Sequence, residues 1–165
     1  YIYVHLFCDY MIENEQSEAI TLDKTDKDIL AILLDRANLS YRKIARKLQI
    51  SPVTVMNRVQ KLEKEVIRKY TLQLNYERLG FDLSAVINVR VQKGKLFEVE
   101  KQIARHPHVQ AVYDITGDFD VLVLAKFRTR RELDAFVKRI QALEHVERTE
   151  TNIVLNTIKE ESVRL

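Results

Sequence analysis

Ser51-Pro52 is a sharp start signal for a helix, and it stands three residues after the end of another. A serine oxygen can accept from the free amides of a first helical turn, and proline at the first helical position sacrifices no hydrogen bond. The dipeptide therefore predicts a helix over 52–65. The helix before it spans 41–48, with Ser40 able to cap it and Ile44, Ala45 and Leu48 as its inner face. A still earlier helix opens near Asp23 and Asp26, acids suited to a helix N-terminus, and carries Ile29, Leu30, Ile32, Leu33 and Leu34. Asn38 should end it, since asparagine tolerates the left-handed conformation of a helix stop. Two helices joined by a turn of about three residues form a helix-turn-helix, here within a three-helix, winged-helix-like domain.

With roughly 100° between successive residues, Val55, Val59, Leu62 and Val66 share one side of the third helix, and Thr54, Asn57, Arg58 and Lys61 share another. Such a helix fits the DNA major groove, offering short hydrogen-bonding side chains to base edges while Arg and Lys reach phosphates. The charge agrees. The net charge is +3, but residues 1–20 carry −4 and residues 21–80 carry +6. Residues 40–70 hold nine bases against Glu63 and Glu65 alone, a density that points to an anionic partner.

Other chemistries are excluded by what the chain lacks. Gly80, Gly94 and Gly117 are its only glycines and stand far apart, so no Gly-rich phosphate cradle can be written. Cys8 is the single cysteine, which rules out an internal disulfide and a Cys-based zinc site and suits a reducing cytosol. The apolar run over 1–12 is broken by His5 and Asp9 and is too short to span a bilayer. It also lacks a signal peptide's basic leader. A cytoplasmic protein without membrane association is expected. His106-Pro107-His108 reads as a pair of surface histidines rather than a metal site, because no third ligand accompanies them. Asp114, Asp118 and Asp120 lack the bidentate Glu of an EF-hand. With no Gly-x-Ser-x-Gly elbow either, no catalytic residue, metal or cofactor is expected, and the chain does not read as an enzyme.

After Lys69 the period changes. Tyr70, Leu72 and Leu74 alternate with polar residues, predicting a half-buried linker strand within 70–80 that ends at Gly80. Beyond it, strands over 83–92, 109–116, 119–127 and 149–158 interleave with helices over 96–105 and 130–143. That order predicts a ferredoxin-like βαββαβ domain, an antiparallel sheet with both helices on one face, so the whole chain is α+β. Val121-Leu122-Val123-Leu124-Ala125 is apolar without alternation, so both faces of that strand should be covered. The chain's own helices cover only one. A second subunit laid sheet against sheet is expected to cover the other, giving a two-fold dimer and a pseudo-palindromic site on double-stranded DNA. Four segments result: an N-terminal extension over 1–20, the helix-turn-helix domain over 21–69, the linker strand over 70–80 and a second domain over 81–165. Tyr1, Tyr3, Leu6 and Phe7 of the extension are expected to dock on an apolar surface or a neighbouring subunit.

Several ordered motifs carry a resemblance. Leu22-Asp23-Lys24-Thr25-Asp26-Lys27-Asp28-Ile29-Leu30, Leu39-Ser40-Tyr41-Arg42-Lys43-Ile44-Ala45, Ile50-Ser51-Pro52-Val53-Thr54-Val55, Arg58-Val59-Gln60-Lys61-Leu62-Glu63 and Thr116-Gly117-Asp118-Phe119-Asp120 together resemble the leucine-responsive/asparagine (Lrp/AsnC, feast/famine) transcriptional regulators. With Lys, Arg and Glu abundant, the likeness also suggests an archaeal source. The resemblance implies sequence-specific DNA binding by the first domain, through Ser40, Tyr41, Arg42, Ser51, Pro52, Val53, Thr54, Asn57, Arg58 and Lys61. It implies a second domain that senses an amino acid or related metabolite at Thr116, Gly117, Asp118, Phe119 and Asp120, with Thr149 and Thr151 contributing from the last strand. It implies homodimers that assemble into tetramers, octamers or larger discs. Asp118 and Asp120 suit an ammonium group and the turn amides at Gly117 suit a carboxylate, although Gly117-Asp118 alone could be only a good hairpin turn. A DNA-wrapping architectural protein of low sequence specificity is the competing reading. One departure matters: where relatives of this kind place a glycine after the third helix, Glu65 runs directly into Val66-Ile67.

Overall fold

A computed structural model describes residues 19–163. They form two compact units, one ending at Gln73 and the other covering 74–158, with the residues from Lys159 onward lying with the first. There the Gln73 side-chain amide donates to the Glu160 carbonyl at 2.8 Å. The expected docking of Tyr1, Tyr3, Leu6 and Phe7 falls outside the described residues.

The first unit holds three helices, α1 (Lys24–Asp35), α2 (Tyr41–Leu48) and α3 (Pro52–Glu65), and no strand among its described residues. Ile29, Leu30, Leu33, Ile44, Ala45, Val55, Val59 and Leu62 form its core. Each boundary has a local cause. The Asp23 carboxylate accepts the Asp26 amide at 2.8 Å, capping α1. Helix α1 stops at Asp35, before Asn38, and the left-handed residue of this unit is instead Gln49 at φ 57°, which closes α2. At the end of α3 the missing glycine is replaced by hydrogen bonding. The amides of Val66 and Ile67 both donate to the Leu62 carbonyl, at 2.8 and 2.7 Å, with Val66 at φ −128°. This turns Val66 out of the row it was expected to extend, leaving it 37% exposed. Ile67 packs on the core in its place.

The linker alternation does not become a strand. Leu72 is 81% exposed, and Tyr70 and Leu74 are exposed with it. A strand needs a ladder to satisfy its amides and carbonyls, and 70–76 pairs with no strand among the described residues. The stretch leads into one 3-10 turn, Glu77–Leu79, closed by Gly80 in the left-handed region at φ 80°.

The second unit is β1 (Leu83–Val91), α4 (Leu96–Ala104), β2 (Val109–Asp114), β3 (Val121–Phe127), α5 (Arg130–Gln141) and β4 (Val146–Val154). Its strands are ordered β2-β3-β1-β4 and are antiparallel throughout. Val99 and Ile103 of α4 and Leu133, Phe136 and Ile140 of α5 pack on Ala85, Ile87, Val89, Val91, Val121, Val123, Ala125 and Phe127. Strand β4 begins earlier than the expected 149–158 because His145, at φ 77°, turns the chain directly from α5 into the sheet. It ends with the pairing Ser84↔Val154, one residue from the start of β1, so Ile158 lies beyond it, exposed. Along β3, Leu122 and Leu124 point away from the helices and are half-buried, beside Val86 of β1. Among the described residues no helix is long and apolar enough to cross a membrane.

Candidate functional site

The first unit presents α3 outward. Ser51 Oγ accepts the Thr54 amide at 3.0 Å and lies 2.8 Å from the Thr54 hydroxyl, so the cap that sets the direction of α3 also fixes Thr54, which is half-buried. Ser51, Pro52 and Val53 are exposed on the first turn, Val53 by 60%. Asn57 and Lys61 are exposed, with Lys61 only 3.9 Å from Glu65 in a solvated pair that holds it weakly. Ser40, Tyr41 and Arg42 are exposed at the start of α2, where Ser40 occupies the cap position without a side-chain cap bond.

The Arg58 side chain is engaged within the first unit rather than free on the outer face. Its guanidinium donates to Asp23 at 2.6 Å and to Asp26 at 2.7 Å, tying α3 back to the start of α1. Asp26 is buried, and the Arg58 side chain is 32% exposed. The Arg58 hydrogen bond, reinforced by the Asp26 amide, holds the Asp23 carboxyl below its ordinary range. In return Asp23 and then Asp26 push the guanidinium pKa up. The physical reason is angular. Arg58 and Thr54 flank the buried row Val55, Val59 and Leu62, whereas the direction opposite that row is occupied by Val53, Asn57, Gln60 and Lys64. Gln60 and Lys64 are exposed there and were not singled out. Centring the exposed face opposite the apolar row, rather than on a shared polar quarter, would have found them.

In the second unit the hairpin between β2 and β3 holds Thr116, Gly117 and Asp118 exposed and Phe119 and Asp120 half-buried. The Ile115 amide donates to the Asp120 carbonyl at 2.9 Å, the Asp120 amide to the Val89 carbonyl at 3.1 Å, and the Val91 amide to Asp120 Oδ2 at 2.8 Å. Asp120 thus uses its side chain to fasten the turn onto the end of β1, which leaves Asp118 as the outward carboxylate. Gly117 sits at φ 121°, where an L side chain is strained.

Two arginines that sequence reasoning missed reach this turn. Arg90 of β1 donates to the Asp118 carbonyl. The Arg148 guanidinium of β4 lies 5.5 Å from the centre of the Phe119 ring. They are direct cross-strand partners, Arg90↔Arg148, and stand on the sheet face away from the helices. Only the register across three strands brings them together, so no sequence spacing announces them. Thr149 and Thr151 lie on the other face: they pair with the buried Val89 and Ile87, and Thr149 Oγ1 accepts from the Gln141 side chain at 2.9 Å. Within one chain the structure therefore does not bring these threonines to the Gly117 turn.

His106 and His108 are half-buried rather than surface residues. The His106 ring is 4.5 Å from Phe136 and 5.2 Å from His108, which in turn is 5.2 Å from Phe127. Burial, then the neighbouring His108 and Arg139, lower the His106 pKa. No group of three or more metal-ligating side chains occurs among the described residues.

Comparison with known proteins matches both units. Residues 22–63 fit the AsnC-type helix-turn-helix domain, and residues 84–163 fit the Lrp/AsnC ligand binding domain. An HTH-type transcriptional regulator of Pyrococcus furiosus is 44% identical over 141 residues, 85% of this chain and 95% of that one. One from Pyrococcus horikoshii is 37% identical, covering 86% of this chain and 94% of its own. Among solved structures, a Neisseria meningitidis transcriptional regulator in complex with L-Met superposes with TM-score 0.81 at 28% identity, over 88% of this chain and 96% of that one. Escherichia coli AsnC shares the fold, with TM-score 0.82 at 22% identity, over 88% of this chain and all of that one.

Proposed function

Because the chain belongs to the Lrp/AsnC family of transcriptional regulators, we propose that its first unit recognises a preferred DNA sequence and that an amino acid bound at the Gly117–Asp120 turn controls it from the second. The chain is a ligand-responsive regulator of transcription and not an enzyme. The finer reading rests above all on the outward stripe of α3, where Val53, Asn57, Gln60, Lys61 and Lys64 are exposed beside the basic α2. A polar side chain flanked by an apolar one suits a base edge and a thymine methyl, and the lysines suit phosphates.

The amino-acid reading is supported by the exposed Asp118 carboxylate and the guanidiniums beside it, and by the L-Met bound to the Neisseria relative. The half-buried Val86, Leu122 and Leu124 support a partner subunit on the open sheet face, hence a homodimer on a pseudo-palindromic cytoplasmic DNA site, and dimers that join into tetramers, octamers or larger assemblies.

Selection of duplexes from a random pool, followed by titration of the winner against random DNA, tests the first part. Asn57→Ala should flatten the discrimination, while Lys61→Ala should weaken both duplexes and lessen the salt dependence. Regularly phased protection of any sequence would instead mark a DNA-wrapping architectural protein. Asp118→Ala should abolish the change in oligomer size that an amino acid induces while leaving the dimer intact, and an unchanged titration would remove Asp118 from the site.

A further inference from the structure

We propose that Arg90 and Arg148 seat the two carboxylates of an acidic, dicarboxylic amino acid, making such a molecule the effector class of this chain; the inference rests on the amino-acid reading of the Gly117–Asp120 turn. An unfavourable pairing motivates it. Directly opposed like charges destabilise an antiparallel ladder, yet β1 and β4 place two guanidiniums opposite one another. Neither is neutralised in compensation. Arg148 has Glu150 at 4.0 Å, between side chains that are both well exposed, and such a pair contributes little. Arg90 donates to a neutral carbonyl, that of Asp118. A local rule broken without a structural gain is typical of a binding site.

The surroundings say what kind of ligand would relieve the repulsion. The Phe119 ring lies beneath the Arg148 guanidinium, an arrangement that orients the planar fork while leaving its N–H edges free to donate. Arg90 is steered by the Asp118 carbonyl to the same turn. Asp120 is already engaged by the Val91 amide, so the turn offers one exposed carboxylate, that of Asp118, for the two guanidiniums that reach it. A neutral amino acid brings one ammonium and one carboxylate, which satisfies Asp118 and a single guanidinium. The remaining guanidinium then stays uncompensated. A dicarboxylic amino acid brings the missing anion, and carboxylate on guanidinium is the strong, two-pronged form of hydrogen bond.

Isothermal titration of the full chain with L-glutamate, L-aspartate, their amides L-glutamine and L-asparagine, and L-leucine tests the proposal. The acids should bind roughly tenfold or more tightly than the amides of the same shape, a difference within the usual range for one charge-assisted contact. Arg148→Gln and Arg90→Gln, both at exposed positions, should each erase most of that preference while leaving the melting temperature near that of the parent. Equal affinity for acids and amides, or binding of L-leucine without the acids, would overturn the ligand class and leave the amino-acid reading standing. A preference that survives both substitutions would overturn the seat. Binding of none of the five would sink the amino-acid reading itself, and this inference with it.

Discussion

Arg58 of the recognition helix donates to Asp26 at 2.7 Å, and Asp26 is the one charged side chain buried among the described residues. The pair joins α3 to α1 across 32 positions of sequence. Arg58→Met should leave a buried carboxylate without its donor and destabilise the first unit by about 1–3 kcal/mol in urea unfolding. Asp26→Asn combined with Arg58→Met should cost less than the two single changes added. Because Arg58 is turned inward, its loss should change the salt dependence of DNA binding less than Lys61→Ala or Lys64→Ala does. A larger change would return Arg58 to the DNA contacts.

Ser51 carries the start of α3 through its bond to the Thr54 amide. Ser51→Ala should cost about 1 kcal/mol of stability and Ser51→Asp much less, since aspartate caps equally well. Thermal unfolding of the three proteins measures the difference; identical midpoints would mean the cap contributes nothing.

At Gly117 a substituent would meet nothing within 4 Å, so space is not the constraint there. The backbone is, at φ 121°. Gly117→Ala should therefore destabilise the second unit by about 1–3 kcal/mol through dihedral strain alone. It should also weaken amino-acid binding, which titration calorimetry would read separately from the melting curve.

Tyr70 donates its hydroxyl to Glu63 at 2.9 Å, and desolvation around that hydroxyl, then this bond, push its pKa up from 10.0 to about 12, although the residue as a whole stays exposed. A group whose folded value is raised contributes stability that is complete below its ordinary value and is lost as pH rises through the folded one. Ultraviolet titration should thus show one phenol ionising late, near 12. Glu63→Gln should bring it only part of the way down, because local desolvation of the hydroxyl is the larger cause.

His106 behaves in the opposite sense. Its folded pKa lies below the ordinary 6.5, chiefly through burial against Phe136. The unfolded chain therefore takes up a proton first as pH falls. Stability from this site is complete above about 6.5 and is lost as pH drops through the lower folded value. His106→Phe should flatten that part of the stability profile, and proton NMR of the imidazole should show its titration displaced to acid.

Legibility in the sequence tracks the range over which each signal acts. The three helices of the first unit were readable because Asp23, Ser51-Pro52 and the apolar rows act within a turn or two of themselves. The βαββαβ order was readable for a similar reason, as alternation and helical spacing are local. The linker was misread because Tyr70, Leu72 and Leu74 alternate as a strand does, while strand formation depends on a partner that alternation cannot supply. Arg58 looked free because its acidic partners lie 32 and 35 residues away. The non-glycine left-handed positions fell on Gln49, a residue type with no marked preference for that region, and on His145, and not on Asn38. Arg90 and Arg148 were hidden for the most basic reason: they are 58 residues apart, and only pairing of β1 with β4 makes them neighbours.

The hydrogen-bonded stop at Leu62 has a mechanical consequence. From Val53 to Leu79 the chain contains neither glycine nor proline, so every residue leaving the recognition helix carries a side chain that keeps its dihedrals in the ordinary basins. The exit from the recognition helix is thereby latched by two amides on one carbonyl, with no glycine in the stretch to enter the left-handed region without strain.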